Sequence, residues 1–158
     1  PEPIIEPAPS PVSPTPTEPT QPVSPTTSAP AERESAAEFI RRWQAVSFDM
    51  QNSGDTRSYL AMTTSCSSCA ALAKGVADIY ADGGYVRDAG GTVSEVERVG
   101  KAQDVFVYEF RLRTRPSAVV DASGDVQTAL TGGESRLQVN LVKSADSWLV
   151  SRVSRLEG

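Results

Sequence analysis

From Ala36 onward apolar residues recur at helical spacing. Ala36, Phe39, Ile40, Trp43, Val46 and Met50 fall on one stripe, and Arg41, Arg42, Gln44 and Asp49 fall on the opposite face. The pattern predicts a helix that begins near Glu34 or Ser35. Asn52-Ser53-Gly54-Asp55 stops it, because Gly54 suits a left-handed C-terminal cap and Asp55 can cap the next helix. That second helix is short and carries Tyr59, Leu60 and Met62. A third is predicted from about Ser67 to Asp82, with Cys69, Leu72, Ala73, Val76, Ile79 and Tyr80 as its buried stripe and Gly83-Gly84 as its end.

Beyond Gly84 the helical period gives way to alternation. Val93 to Val99 and Asp104 to Thr114 read as strands, the second with Phe106, Tyr108, Phe110 and Leu112 on one face. Arg136 to Lys143 follows, with Leu137, Val139 and Leu141 inward, and Trp148 to Val153 closes the chain. Gly124-Asp125 and Gly132-Gly133 supply turns between them. Helices followed by a four- to five-stranded antiparallel meander make the fold class α+β.

Composition changes the picture at the N-terminus. Eleven of the twelve prolines lie at or before Pro30, and residues 1–30 contain no aromatic residue. Such a segment buries too little apolar surface to offset its ordering entropy, so 1–30 is expected to be a disordered, semi-rigid spacer ahead of one domain, 31–158. In polyproline II form it would reach on the order of 90 Å. Because the first residue is Pro1, the chain is expected to be a mature or trimmed form. Glu2, Glu6 and Glu18 account for three of the five net negative charges, which leaves the domain at about −2. A domain so nearly balanced has no electrostatic footprint for nucleic acid.

The order of helices and strands resembles the cone fold of nuclear transport factor 2 and ketosteroid isomerase, which implies N-terminal helices packed on a curved antiparallel sheet and a pocket between the long helix and that sheet. A second resemblance lies in Asn52-Ser53-Gly54-Asp55-Thr56, Ser65-Cys66-Ser67-Ser68-Cys69 and Ile79-Tyr80-Ala81-Asp82-Gly83-Gly84. These segments are similar to an uncharacterised family of actinobacterial surface lipoproteins, in which a lipid-modified cysteine precedes a proline-rich linker and one small domain. The resemblance implies an extracellular position on the outer face of the cytoplasmic membrane or in the cell wall, the lipid anchor itself lying outside this chain.

Cys66 and Cys69 are the only cysteines. Three residues apart at a helix N-terminus they can close a disulfide, and an even pair in an exported protein is normally oxidised. A redox Cys-X-X-Cys is the functional alternative, since a helix N-terminus favours the thiolate. It lacks the strand-to-helix setting and facing proline of thioredoxin-like sites. Two thiolates leave a zinc site short of ligands.

The chain has no histidine, which removes Ser-His-Asp and Cys-His hydrolase chemistry. Tyr59, Tyr80, Tyr108 and Asp104 are the groups that a cone pocket could use for catalysis, and each is equally read as structural. Arg111, Arg113 and Arg115 alternate along one strand as an anion stripe or a solvated outer face, with Glu95, Glu97 and Glu109 placed to neutralise it. Neither a metal nor a cofactor is implied. The expected role is a non-catalytic envelope domain that binds an envelope protein, a wall polymer or a small ligand. The alternative is an enzyme, either a thiol-disulfide oxidoreductase through Cys66 and Cys69 or a cone-pocket catalyst. A homodimer is compatible by fold analogy, and membrane contact is expected only through the lost anchor.

Overall fold

The computed structural model describes residues 33–157 of the 158-residue chain. The Pro-rich spacer expected over 1–30 lies outside the described residues. No helix among the described residues is long and apolar enough to cross a membrane.

Helix α1 spans Ala36–Ser53, and both of its ends are built as the sequence demands. At the start, the Ser35 hydroxyl accepts from the Glu38 N–H at 3.2 Å while the Glu38 carboxylate accepts from the Ser35 N–H at 2.9 Å, a reciprocal capping box. At the end, Gly54 takes φ +77° and donates to Met50 O at 2.8 Å. A side chain there would also meet the Tyr80 ring, whose nearest carbon lies 2.5 Å from where a Cβ would sit. The short α2 is Arg57–Leu60, preceded by Asp55, whose carboxylate accepts from the Arg57 N–H at 3.1 Å. The Arg57 guanidinium beside it holds the Asp55 carboxyl down to about 2.

Helix α3, Ser67–Ala81, is capped by Cys66, which is joined to Cys69 by a disulfide. The strands are β1 (Tyr85–Arg87), β2 (Gly91–Ala102), β3 (Val105–Thr114), β4 (Ser117–Val120), β5 (Val126–Leu130), β6 (Gly133–Ser144) and β7 (Ser147–Leu156). A four-stranded antiparallel sheet runs β2-β3-β6-β7. Its register sets Phe106 against Leu141, Tyr108 against Val139 and Phe110 against Leu137, so the alternation expected from the sequence lines one face. Irregular pairing in β2 between Ser94 and Glu97, and again between Arg98 and Gly100, bends the sheet around the helices. The result is N-terminal helices packed on a curved antiparallel sheet, the cone architecture of nuclear transport factor 2. Phe39, Ile40 and Trp43 of α1 form the core with Phe110, Val139, Leu141 and Val150 of the sheet.

Three features differ from the sequence reading. β1, β4 and β5 form a separate three-stranded sheet in the order β1-β4-β5, where the sequence reading placed no strand. β1 is too short to show a period, and every residue of β5 is exposed, so neither carries the alternation that marks a half-buried strand. Gln44, placed by pattern on the polar face of α1, is only 7% exposed. Leu72, placed on the buried stripe of α3, is 40% exposed. Both border a hollow between helices and sheet, where burial no longer follows the apolar stripe.

Gly54→Ala should cost about 1–2 kcal/mol from the left-handed backbone alone, and more from displacing Tyr80. Urea denaturation measures it. Loss of less than about 0.5 kcal/mol would mean that the helix end relaxes freely.

Candidate functional site

The hollow is a half-open cavity of about 440 Å³, within the range of about 300–1,000 Å³ usual for small-molecule sites. α1 supplies one wall through Trp43, Gln44, Ser47, Phe48 and Gln51, spaced so that successive turns face the same way. Polar groups therefore occupy the face of α1 that looks into the hollow. Gln44 and Ser47 are buried, and the Gln51 amide donates to Ser47 O at 3.2 Å. The sheet supplies an apolar wall from Leu112, Leu137 and Val153, and Leu72 and Leu130 stand at the rim.

Deep in the cavity Trp43 and Tyr59 stack, with ring centroids 6.2 Å apart and planes 19° from parallel. The buried Trp43 indole N–H has no hydrogen-bond partner among the described residues. It approaches the Tyr59 hydroxyl without reaching hydrogen-bond geometry. Burial pushes the Tyr59 phenol up to about 12, and the nearby Trp43 indole only partly opposes that rise.

Of the four groups singled out for a cone pocket, Tyr59 alone lines this cavity. Tyr80 lies across the end of α1 and donates its hydroxyl proton to Gln51 O at 2.9 Å. Tyr108 packs edge-on to Trp148 with centroids 6.5 Å apart. Asp104 is exposed in the turn between β2 and β3. Trp148 serves as an anchor, its indole N–H donating to Glu34 O at 3.0 Å.

The three alternating arginines do not form one stripe. Arg111 bonds Glu95 at 2.5 Å and Glu134 at 2.7 Å, and Arg113 reaches Glu134 at 3.4 Å. These guanidiniums hold the Glu134 carboxyl below its ordinary range. Glu109, expected to neutralise the stripe, instead takes Arg136, and Glu97 faces Glu109 across the sheet. Arg115 lies past the end of β3 and lines the cavity, as does Arg155 of β7. Sequence reasoning missed Gln44, Ser47, Gln51 and Arg155 as site residues. The three polar positions on α1, spaced three and four residues apart, were the available signal. Arg155 had none, because its neighbours in space come from other elements.

Cys66 and Cys69 stand at the start of α3, 6% and 0% exposed. Neither lines the cavity. Among the described residues no group of three or more Cys, Asp or Glu side chains converges as a metal site.

The fold recurs in solved structures. The intermembrane space region of the chloroplast protein ARC6 superposes with a TM-score of 0.59 at 12% identity, covering 78% of this chain and 95% of that one. The beta subunit of benzoate 1,2-dioxygenase from Burkholderia mallei gives 0.50 at 10% identity, over 77% and 89%. An NTF2-like protein with a cystatin-like fold from Novosphingobium aromaticivorans gives 0.41 at 17%, over 75% and 79%. At such identities the likeness is one of fold. No family model matches the sequence, and no curated protein matches it.

Because the Tyr59 phenol is raised, its contribution to stability is whole below about pH 10 and is lost as pH climbs toward 12. Ultraviolet titration of tyrosinate should show a late component that Tyr59→Phe removes. A wild-type curve identical to that of the variant would place Tyr59 in water.

Proposed function

We propose that the domain is a non-catalytic binding module that takes a small, largely apolar ligand into the cavity between α1 and the curved sheet. The observation that carries this reading is the make-up of the wall. Trp43, Phe48, Leu112, Leu137 and Val153 share the wall with uncharged polar groups and two arginines, and no carboxylate, imidazole or free thiol is among the lining residues. A general base must come within hydrogen-bond reach of the proton that it takes. Tyr59, the one titratable oxygen acid on the wall, is held protonated at neutral pH. The proline-rich composition of 1–30 supports a position in the cell envelope, with the domain carried on a spacer that follows an N-terminal anchor.

Burial weighs against the oxidoreductase alternative. An attacking thiolate needs access to a sulfur, and both cysteines are buried. The four-residue loop that the bridge closes makes it a staple of about 2 kcal/mol on the chain-entropy model. The double variant Cys66→Ala/Cys69→Ala should therefore fold, with a Tm several degrees lower. In the native protein, reduced glutathione should open the bridge no faster than the domain unfolds. Rapid reduction with an unchanged circular dichroism spectrum would revive the thiol-exchange reading.

The cavity is tested with phenylnaphthylamine, an uncharged fluorophore. In a Trp148→Phe background Trp43 is the only indole, so energy transfer from Trp43 reports a probe in the cavity. Saturable one-to-one transfer is expected, weakened about tenfold or more by Ser47→Leu, which fills the wall, and unchanged by Asp104→Asn. Absence of saturable binding to a folded protein would refute the cavity as a ligand site.

A further inference from the structure

We propose that the ligand is an amphiphile with a single anionic head of the carboxylate or sulfonate kind, the head held by Arg115 and Arg155 and the apolar body set against Trp43, Leu112 and Leu137. This inference rests on the cavity reading above and adds the charge of the ligand to it.

Charge placement is the first support. The domain as a whole is slightly acidic, yet the cavity lining includes two arginines and no acidic residue. Among the described residues Arg42, Arg57, Arg111, Arg113 and Arg136 are each paired with a carboxylate, whereas Arg41, Arg98 and Arg152 are unpaired away from the cavity; what sets Arg115 and Arg155 apart is that they are unpaired and line it. Neither Arg115 nor Arg155 has a carboxylate within 4.0 Å among the described residues. Arg155 donates only to the Ser135 hydroxyl, at 2.6 Å. A guanidinium presents five donors in a planar fork, so two of them with open donors on the wall of one cavity match a flat oxyanion.

The second support is how Arg115 is held. Its backbone N–H donates to Gly90 O at 2.9 Å, and its guanidinium lies flat against Gly90. A Cβ on Gly90 would fall 2.1 Å from an Arg115 terminal nitrogen, and its three nearest atoms all belong to that guanidinium. Gly90 is therefore the seat that turns Arg115 toward the cavity instead of along the outer face with Arg111 and Arg113.

The test compares two probes with the same aromatic body, anilinonaphthalene sulfonate and uncharged phenylnaphthylamine, on the full chain. The sulfonate is expected to bind about tenfold tighter or more, and its advantage should shrink as salt rises from about 50 mM to 500 mM while the neutral probe holds. Arg115→Ala and Arg155→Gln should each remove most of the advantage and leave neutral binding in place. Gly90→Ala should do the same without touching either charge, whereas Arg111→Ala on the outer face should change nothing. Equal affinities for the two probes, or a sulfonate preference that survives Arg115→Ala together with Arg155→Gln, would overturn the anionic head and leave the cavity reading standing. Failure of both probes to bind would overturn both.

Discussion

The last turn of α1 is the joint on which the rest of the molecule turns. Asn52 donates its amide to Ala89 O at 2.8 Å and accepts from the Ala89 N–H at 3.0 Å, so one side chain satisfies both backbone groups of a buried loop residue. Two residues on, Gly54 lets Tyr80 of α3 close over the helix end. Three elements distant in sequence are thus fixed within one turn. If the Asn52 amide were lost, two buried backbone groups would need new partners, and each one left unpaired costs about 1–3 kcal/mol. The loop so fixed carries Gly90, and Gly90 sets the direction of Arg115. The electrostatics of the cavity therefore follow from a hydrogen-bonded pair on its outer side.

The cavity itself follows from shape. A straight helix cannot fill the concave face of a sheet bent by bulges, so one face of α1 packs on the core along its length while another looks into the hollow. The packed face offers Phe39, Ile40 and Met50; the face toward the hollow offers Gln44, Ser47 and Gln51. Those polar side chains keep the hollow from collapsing onto α1, because closing it with apolar atoms would desolvate hydroxyl and amide groups without partners. Apolar residues on the sheet side keep it from becoming a simple water channel.

Most of the fold was legible because its long elements carry strong periods. The three helices, the ends of α1 and the inward face of β3 and β6 all follow from spacing and cap residues. β1, β4 and β5 were not legible: they are stabilised by pairing with each other, and an exposed strand such as Val126–Leu130 shows no alternation to read. The site was legible only in outline. Tyr59 could be placed at the cavity because it sits on a short apolar element. The polar positions of α1 looked like solvent-facing ones, since a helix wheel does not distinguish water from an internal hollow. Arg115 was read with its strand neighbours because alternation takes no account of a strand's end, where the chain turns and the side chain changes faces.

The link between Met62–Thr64 and Val150 has a consequence for how the chain reaches this state. Val150 donates to Met62 O at 2.9 Å and Thr64 donates to Val150 O at 2.8 Å, a short parallel bridge that ties the segment before the disulfide to the final strand. Val150 is wholly buried in the main core. The surface on which α1 and α3 rest is thus completed by nearly the last residues of the sequence, about a hundred positions after α1 begins. A chain emerging from its N-terminus presents three helices with no sheet to cover their apolar faces. Contacts of such long range form late and slowly. Until the last strand is delivered, the helical half depends on whatever shields it, and only then can the molecule close.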